Sequence, residues 1–303
     1  MWQPDPSWRR VDRTGPASAG LWLAQDAERT WVVKRLQAPG PDQVALHRPS
    51  YAGYWRREAE VALHPEIVDG PGLVPPAYGA VEEDDEGVTL RAEETEGEPP
   101  TGLFVAHALG RFAASLHATP EWASRTLLAD RLELAEQRDG WPTLARTTLA
   151  DVTDALWQRR GRWLGRIADG PQGRVHGDAV PANFLAAHGS DVVAVDWQCF
   201  GVGPVGSDLG YYALSSREDF EVLLKTFLGG VQQESADGNL DVDAVTVAAR
   251  VTAVYSVITR AEWALARAAK GEGALAGKFR HPAVAPYLRD LQRQLPQIEH
   301  LLA

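Results

Sequence analysis

The stretch HGDAVPANF at residues 176–184, followed by VAVDW at residues 193–197, contains the most informative spacing in this chain. Asp178 stands five residues before Asn183, and Asp196 follows thirteen residues further on. A carboxylate can accept the proton of a hydroxyl group, and a second carboxylate with an amide supplies the hard oxygen ligands that Mg²⁺ prefers. Transfer of a phosphoryl group from ATP requires both kinds of group. The spacing therefore predicts ATP- and Mg²⁺-dependent phosphoryl transfer.

The composition is that of an ordinary globular protein. The 303 residues suffice for one large domain or two lobes. No apolar run reaches the ~18 residues of a membrane span, and the first residues lack the charged and apolar parts of a secretory signal. Cys199 is the only cysteine, which excludes an intrachain disulfide. We therefore expect a cytoplasmic protein without a membrane partner.

The net charge of −11 argues against nucleic acid and anionic membranes as partners. Residues 171–243, which include the motif, contain three basic and eleven acidic residues. An acidic region would attract a cationic acceptor, but a solvated acidic surface would give the same count. Both interpretations stay open at this point.

The two parts of the chain differ in pattern. The first part predicts a mainly β region with one helix over residues 54–63. Its predicted strands cover residues 8–14, 21–25, 30–36, 77–81 and 88–92. Residues 96–100, EGEPP, look like a junction. Beyond it, apolar residues recur at helical spacing, most clearly over residues 247–265.

The HGD motif with Pro181 and Asn183 resembles the catalytic signature of the aminoglycoside phosphotransferase and choline kinase-like family. The resemblance extends from about residue 8 to about residue 212. It implies an α+β, bilobal protein kinase-like fold. The small, mainly β N-lobe would cover residues 1–97 and bind the nucleotide. The larger, mainly α C-lobe would cover residues 98–303 and contain the catalytic and acceptor-binding groups.

The same resemblance implies roles for the motif residues. Asp178 would be the catalytic base, and Asn183 and Asp196 would be the Mg²⁺ ligands. His176 would belong to the catalytic set by supporting the loop through hydrogen bonds rather than by reacting. Asp208 resembles the family's structural aspartate, which braces the backbone of the catalytic loop.

The N-lobe has matching features for binding ATP. Lys34 ends the strand-like WVVK stretch and is the only lysine in the first 224 residues. The resemblance implies that Lys34 holds the α- and β-phosphates and pairs with a glutamate on the following helix. Glu58 is the best match for that partner, and Glu60 is the alternative.

Two further segments are implied to contact the nucleotide. The loop over residues 15–20 would cover the phosphates with backbone NH groups and the Ser18 hydroxyl. Glu94 and Thr95 align with the family's hinge, whose backbone would bond to the adenine edge.

Two departures from the family pattern bear on the acceptor. Ala179 stands where the family usually has a larger apolar residue. Asp196 is followed by Trp197 and Gln198 rather than Phe-Gly, a pattern that relatives of the choline kinase type also show.

The favoured function is phosphorylation of a hydroxyl group on a small polar molecule, with an aminoglycoside or related antibiotic as the first choice of acceptor. A choline-like amino alcohol or a sugar is the next. A protein kinase is disfavoured because only eleven residues separate Asp196 from Asp208, which leaves little room for an activation segment. A nucleotide-binding protein without catalysis is disfavoured because every motif residue is present.

Overall fold

The computed structural model describes residues 2–11, 18–115, 117–137, 150–235, 241–268, 282 and 284–303. Residues 12–14 of the first predicted strand and residues 15–17 of the predicted phosphate loop lie outside these ranges. The described residues form an antiparallel sheet in the N-terminal part and a mainly helical C-terminal part. The predicted α+β architecture is thus confirmed, whereas the boundary at residue 97 stays a prediction.

The elements follow one another with short connections. The strands are β1 (Arg9–Arg10), β2 (Ser18–Gln25), β3 (Thr30–Gln37), β4 (Leu73–Val74), β5 (Tyr78–Asp84), β6 (Gly87–Glu93), β7 (Gln172–Val175), β8 (Phe184–His188), β9 (Asp191–Ala194) and β10 (Gly201–Pro204). The helices are α1 (Arg57–Leu63), α2 (Gly102–Ala114), α3 (Leu127–Gln137), α4 (Ala150–Ala168), α5 (Ser207–Tyr212), α6 (Phe220–Glu234), α7 (Val242–Ala268), α8 (Ala285–Arg293) and α9 (Leu295–Leu302).

The N-lobe is a five-stranded sheet in the order β1-β2-β3-β6-β5. Successive side chains of a strand point to opposite faces of the sheet, and side chains of β3 are buried on both faces. On one face, Leu36 packs with Ala59 and Ala62 of α1. On the other face, Val33 packs with Trp22, and Trp2 and Trp8 from the N-terminal segment cover this cluster. The sheet is therefore held between α1 and the N-terminal segment.

Two details of the N-lobe differ from the prediction. Helix α1 begins at Arg57 rather than at residue 54, because residues 51–56 form turns. Strand β4 was not predicted, since two residues are too short to give a period. Leu73 of β4 pairs in parallel with Val192 of β9, which joins the N-terminal part of the chain to the β8–β9 hairpin.

The C-lobe depends on a close crossing of α2 and α6. A Cβ atom at Gly110 would lie 2.1 Å from the carbonyl oxygen of Phe227, and one at Gly230 would lie 2.1 Å from that of His107. Each helix thus places a glycine against the backbone of the other. The crossing has no room for a side chain at either position.

We expect Gly230→Ala to destabilise the protein by about 1–3 kcal/mol, the usual cost of adding a methyl group to a packed interior. The adjacent residue Gly229 is a matched control, because a Cβ there meets nothing within 4 Å. Gly229→Ala should instead stabilise α6 by roughly 0.5–1 kcal/mol through helix propensity. Urea unfolding of both variants measures the difference. Equal effects of the two substitutions would contradict the close crossing.

Helix α7 confirms the predicted apolar helix over residues 247–265. By length and composition it could also span a membrane, which the sequence analysis did not anticipate. Most of its side chains are buried inside the lobe, including Val251, Val254 and Ile258. The buried core helix of a soluble protein meets the same criteria of length and composition. The cytoplasmic location stays a prediction.

Candidate active site

Lys34 connects the two lobes. Its Nζ atom donates hydrogen bonds to Oε2 of Glu58 at 2.6 Å and to Oδ1 of Asp196 at 2.7 Å. Glu60, the alternative partner, instead accepts a hydrogen bond from Arg56 at 2.9 Å. Strand β3, helix α1 and the segment after β9 therefore meet at one ammonium group.

The charges in this cluster act on one another. Burial acts to lower the pKa of Lys34, but the charges of Glu58 and Asp196 and their hydrogen bonds outweigh it, so this pKa lies above its ordinary value. Burial raises the pKa of Glu58, the Lys34 ammonium acts to lower it, and the charge of Asp196 raises it further. Lys34 is thus held as a cation between two acidic groups.

Asp208 and His176 brace the loop that follows β7 and carries Asp178. The backbone NH groups of His176 and Gly177 donate to the two carboxylate oxygens of Asp208, at 2.6 and 2.9 Å. Nε2 of His176 lies 2.9 Å from the carbonyl oxygen of Val195, and the NH of Asp178 donates to Nδ1 at 3.3 Å. These partners require the Nε2–H tautomer. Both ring nitrogens are engaged, so His176 supports the loop and has no free nitrogen for proton transfer.

Gly177 takes a backbone conformation that a side chain would not allow. Its φ angle is +81°, and a Cβ atom would lie 2.3 Å from the carbonyl oxygen of Cys199. A glycine is therefore required between His176 and Asp178.

Asn183 lies beside Asp178 at the end of a short 3₁₀ turn over Pro181–Asn183. Its Nδ2 group donates to the backbone oxygen of Asp178 at 2.8 Å and lies 3.4 Å from the carboxylate oxygen Oδ2. The structure gives its Oδ1 atom no hydrogen bond among the described residues. This oxygen is suited to bind a cation.

Asp196 has a left-handed backbone, with φ +65° and ψ +54°. It is the only non-glycine residue with a positive φ in the described part of the chain. Aspartate tolerates this region better than most residues do. Strand β9 ends at Ala194, so the reversal at Asp196 turns the chain sharply and directs the carboxylate toward Lys34.

Four of these residues line an interlobe cleft of about 600 Å³, and Asp178 lies beside it, in contact with Asn183. Its polar lining includes Lys34, Glu58, Asn183 and Asp196. The apolar lining residues come from both lobes: Leu21, Val32, Leu90, Ala92, Leu185 and Val195. The cleft therefore has an apolar part suited to a flat base and a charged end suited to phosphates.

The other predicted nucleotide contacts lie at the edge of this cleft. Ser18 and Thr95 both line it. Glu94 is not among the lining residues, and its backbone NH donates to the carbonyl oxygen of Thr30 at 2.9 Å. The Glu94 NH is therefore engaged in the sheet and is not a donor for adenine, so any backbone donor to adenine at this hinge would come from Thr95.

A comparison with models of protein families identifies the family to which this chain belongs. A family model described as the phosphotransferase enzyme family matches residues 14–238. The chain belongs to this family. None of the curated proteins compared with this phosphotransferase matches it.

Solved structures show that the phosphotransferase has the bilobal fold of small-molecule kinases. Amicoumacin kinase hAmiN, in complex with AMP-PNP, Ca²⁺ and Ami, aligns over 98% of this chain and 92% of its own, with a TM-score of 0.59 and 15% identity. Choline kinase LicA from Streptococcus pneumoniae aligns over 96% and 94%, with a TM-score of 0.58 and 13% identity. ADP-bound aminoglycoside phosphotransferase APH(2'')-Ib aligns over 96% and 94%, with a TM-score of 0.53 and 15% identity. The predicted protein kinase-like fold is confirmed.

The sequence analysis missed Arg57, which anchors α1 of the phosphotransferase. The side chain of Arg57 is fully buried and donates five hydrogen bonds, all to backbone carbonyl oxygens. These belong to Pro49, Tyr51, Ala52, Trp122 and Gln198, at 2.6–2.9 Å. Arg57 therefore ties the helix that bears Glu58 to the segment that follows Asp196. Burial lowers the pKa of Arg57 to about 10, so the guanidinium stays charged at neutral pH.

No signal in the sequence could have identified Arg57. The preceding residue is also an arginine, and Arg56 is part-exposed and paired with Glu60 and Glu83. The partners of Arg57 are backbone atoms from distant segments. Only the folded chain reveals which of the two arginines is buried.

Proposed function

We propose that this phosphotransferase moves the γ-phosphoryl group of ATP to a hydroxyl group of a small molecule, with Asp178 as the base. The observation that carries the proposal is the Lys34 ammonium, which is bonded to both Glu58 and Asp196 at the charged end of the interlobe cleft. Asn183 lines the same cleft and contacts Asp178. The groups proposed to bind phosphate, to bind the metal and to accept the proton thus lie next to one another.

Each part of the nucleotide has a candidate partner. The apolar part of the cleft would hold adenine, with the backbone of Thr95 at its edge and Ser18 near the phosphates. Lys34 would hold the α- and β-phosphates. The nucleotides in the amicoumacin kinase and APH(2'')-Ib structures, AMP-PNP and ADP, support this assignment.

The oxygen atoms at the charged end fit Mg²⁺. Oδ1 of Asn183 and the carboxylate of Asp196 are hard ligands, and Mg²⁺ is usually held by one or two such groups together with phosphate oxygens. The Ca²⁺ ion in the amicoumacin kinase structure supports a divalent cation. When bound, Mg²⁺ would neutralise the charge of the phosphates.

Asp178 would act on the acceptor. Its carboxylate accepts a hydrogen bond from the acceptor hydroxyl and so aims the oxygen at the γ-phosphorus. The proton passes to Asp178 as the new oxygen–phosphorus bond forms and the bond to ADP breaks. His176, Gly177 and Asp208 take no proton; they hold the loop in place.

The alternatives differ in their support. The segment from Asp196 to Asp208 contains only a short 3₁₀ turn and β10, which pairs with β7, so a peptide-docking segment of the protein kinase type has no place there. An aminoglycoside, an amino alcohol or a sugar remains a prediction for the acceptor. Three acidic residues after α5 have partners within the protein: Glu218 accepts a hydrogen bond from Ser216, Asp219 caps α6 and Glu221 pairs with Arg250.

The test of the proposed function is ADP release from Mg²⁺-ATP with a panel of aminoglycosides, peptide antibiotics, amino alcohols, hydroxy acids and sugars. We expect acceptor-dependent ADP release and a phosphate monoester in the ³¹P NMR spectrum of the product. Chelation by EDTA should abolish turnover, and added Mg²⁺ should restore it. Nucleotide binding without turnover of any hydroxyl compound would favour the non-catalytic alternative.

A further inference from the structure

A second cavity, of about 350 Å³, lies in the C-lobe and is here called the C-lobe cavity. Gly177 lines it, whereas Ala182 and Asn183 line the interlobe cleft. The loop that carries Asp178 therefore borders both cavities. If the nucleotide occupies the cleft, as the proposed function requires, the C-lobe cavity is placed to hold the acceptor.

The walls of the C-lobe cavity are mainly apolar. They come from α3, α4, α5 and α7 and from the β7–β10 ribbon. The larger apolar side chains are Leu127, Leu128, Leu164, Ile167, Val175 and Val202. Such walls suit an apolar body better than a polyhydroxylated or polycationic one, because each buried polar group without a partner costs free energy.

Arg131 is the charged group next to the catalytic loop in this cavity. Its Nη2 atom donates to the carbonyl oxygen of Gly177 at 2.7 Å, one residue before Asp178. In the part of the chain that the structure describes, its Nε and Nη1 atoms have no hydrogen-bond partner and no carboxylate lies within ion-pair distance of it. Burial acts to lower the pKa of Arg131, and Tyr211, Cys199 and Asp178 together raise it above its ordinary value.

The ring of Tyr211, which lines the cavity, also contacts Arg260, which is not one of the lining residues. The Cζ atoms of Arg131 and Arg260 lie 4.4 and 4.2 Å from the centre of this ring. Arg260 donates to the hydroxyl of Ser215 at 3.2 Å and, among the described residues, forms no ion pair within 4 Å. The only carboxylate in the described lining is Asp208, whose oxygens both accept backbone NH groups. Arg131 thus presents a cation to this cavity that no carboxylate of the described residues pairs with.

An unsatisfied hydroxyl group also points to a ligand. Thr252 of α7 lines the C-lobe cavity and is 4% exposed. Its Oγ1 atom has no hydrogen-bond partner within the ranges that the structure describes. Buried hydroxyl groups in proteins are nearly always hydrogen-bonded, so a ligand atom at this wall would complete the set.

We propose that the acceptor is a mainly apolar alcohol with an anionic group a few bonds from its hydroxyl, and that Arg131 binds this anion while the apolar body fills the C-lobe cavity. Because Arg131 lies next to the loop that carries Asp178, the anionic group and the hydroxyl of the acceptor are expected to be only a few bonds apart. The inference rests on the proposed function and replaces the cationic acceptor that the charge count had suggested.

The test compares ligands that share a carbon skeleton and a hydroxyl group and differ in an end group that is anionic, neutral or cationic. One set is 3-hydroxydecanoate, 3-hydroxydecanamide and 1-amino-3-decanol, and the second is 3-hydroxy-3-phenylpropanoate, its amide and 3-amino-1-phenylpropan-1-ol. Calorimetry with AMP-PNP and Mg²⁺ present measures binding to wild type, Arg131→Gln, Arg131→Lys and the surface control Arg217→Gln. Binding is read without turnover, so the result does not depend on catalysis.

We expect wild type to bind the carboxylates at least about tenfold more tightly than the amines. Arg131→Gln should lose this preference without losing affinity for the amides, Arg131→Lys should recover part of it, and Arg217→Gln should keep it. Amines that bind as tightly as carboxylates in both sets would overturn the inference, even if Arg131→Gln does not fold. So would a folded Arg131→Gln protein with unchanged carboxylate binding.

Product analysis separates this inference from the proposed function. Phosphate transfer to amino alcohols or aminoglycosides in preference to hydroxy acids would keep the proposed function and overturn the anionic acceptor. Charge-selective binding with no phosphate transfer to any compound would contradict the proposed function and the role of the ligand as an acceptor. It would still support an anionic, mainly apolar ligand in the C-lobe cavity.

Discussion

Asp178→Asn is expected to lower kcat by about 10²–10⁴-fold, the usual contribution of a positioned general base. Asparagine has nearly the shape of aspartate but accepts no proton at neutral pH. The loop should keep its geometry, because Asn183 is held mainly by the backbone oxygen of residue 178, at 2.8 Å. Initial rates of ADP release measure the loss, and calorimetry with Mg²⁺-AMP-PNP should give near wild-type affinity.

Asp169→Asn is the control for this substitution. Asp169 is an exposed residue between α4 and β7, so its loss should change neither rate nor affinity. Retention of full activity in Asp178→Asn would mean that another group takes the proton. A large loss of nucleotide affinity would instead mean that Asp178 helps to hold the metal.

Arg57→Lys is expected to destabilise the protein by about 2–4 kcal/mol and to raise KM for ATP about tenfold. A lysine ammonium has three donors, so it cannot replace the five hydrogen bonds to backbone oxygens, and hydrogen bonds to charged groups contribute about 1.5–3 kcal/mol each. Without them α1 loses its connection to Gln198. Glu58 then no longer holds Lys34 in place for the phosphates.

The control for Arg57→Lys is Arg111→Lys. Arg111 is another buried arginine, bonded to Glu234, Asp191 and the carbonyl oxygen of Ser190. It is far along the chain from α1 and takes no part in the ATP contacts proposed above. We expect a similar loss of stability in urea but an unchanged KM for ATP. A KM that rises equally in both variants would show that Arg57 supports the fold in general and does not position Glu58.

The parts of the site that the sequence predicted are those with local spacing. Asp178, Asn183 and Asp196 belong to one strand–loop–strand unit, so short-range geometry brings them together. Lys34 and Glu58 were assigned through resemblance, and the ion pair is present. Strands β3 and β6 were also predicted to within a few residues, and β3 was predicted from its β-branched and aromatic residues.

The missed features depend on contacts between distant segments. The engagement of the Glu94 amide by Thr30, the carbonyl partners of Arg57 and the two-residue strand β4 leave no pattern in the sequence. The acidic count over residues 171–243 could not locate these charges in space for a related reason. Acidic residues that are close in the chain take part in different helix caps and ion pairs, such as the ion pair of Asp191 with Arg111.

The position of Lys34 between Glu58 and Asp196 also affects whether Glu58 binds a proton when the protein folds. Among the described residues, its ammonium is the only cation that bonds to Glu58 and Asp196. If that charge were removed, two like-charged carboxylates would face each other, and the buried Glu58 would take up a proton when the chain folds. Stability would then decline as the pH rises from the ordinary pKa of glutamate toward the higher value of the folded state, since the native form would bind the extra proton. Lys34 thus acts to lower the pKa of Glu58 and reduces the dependence of the stability on pH in this range.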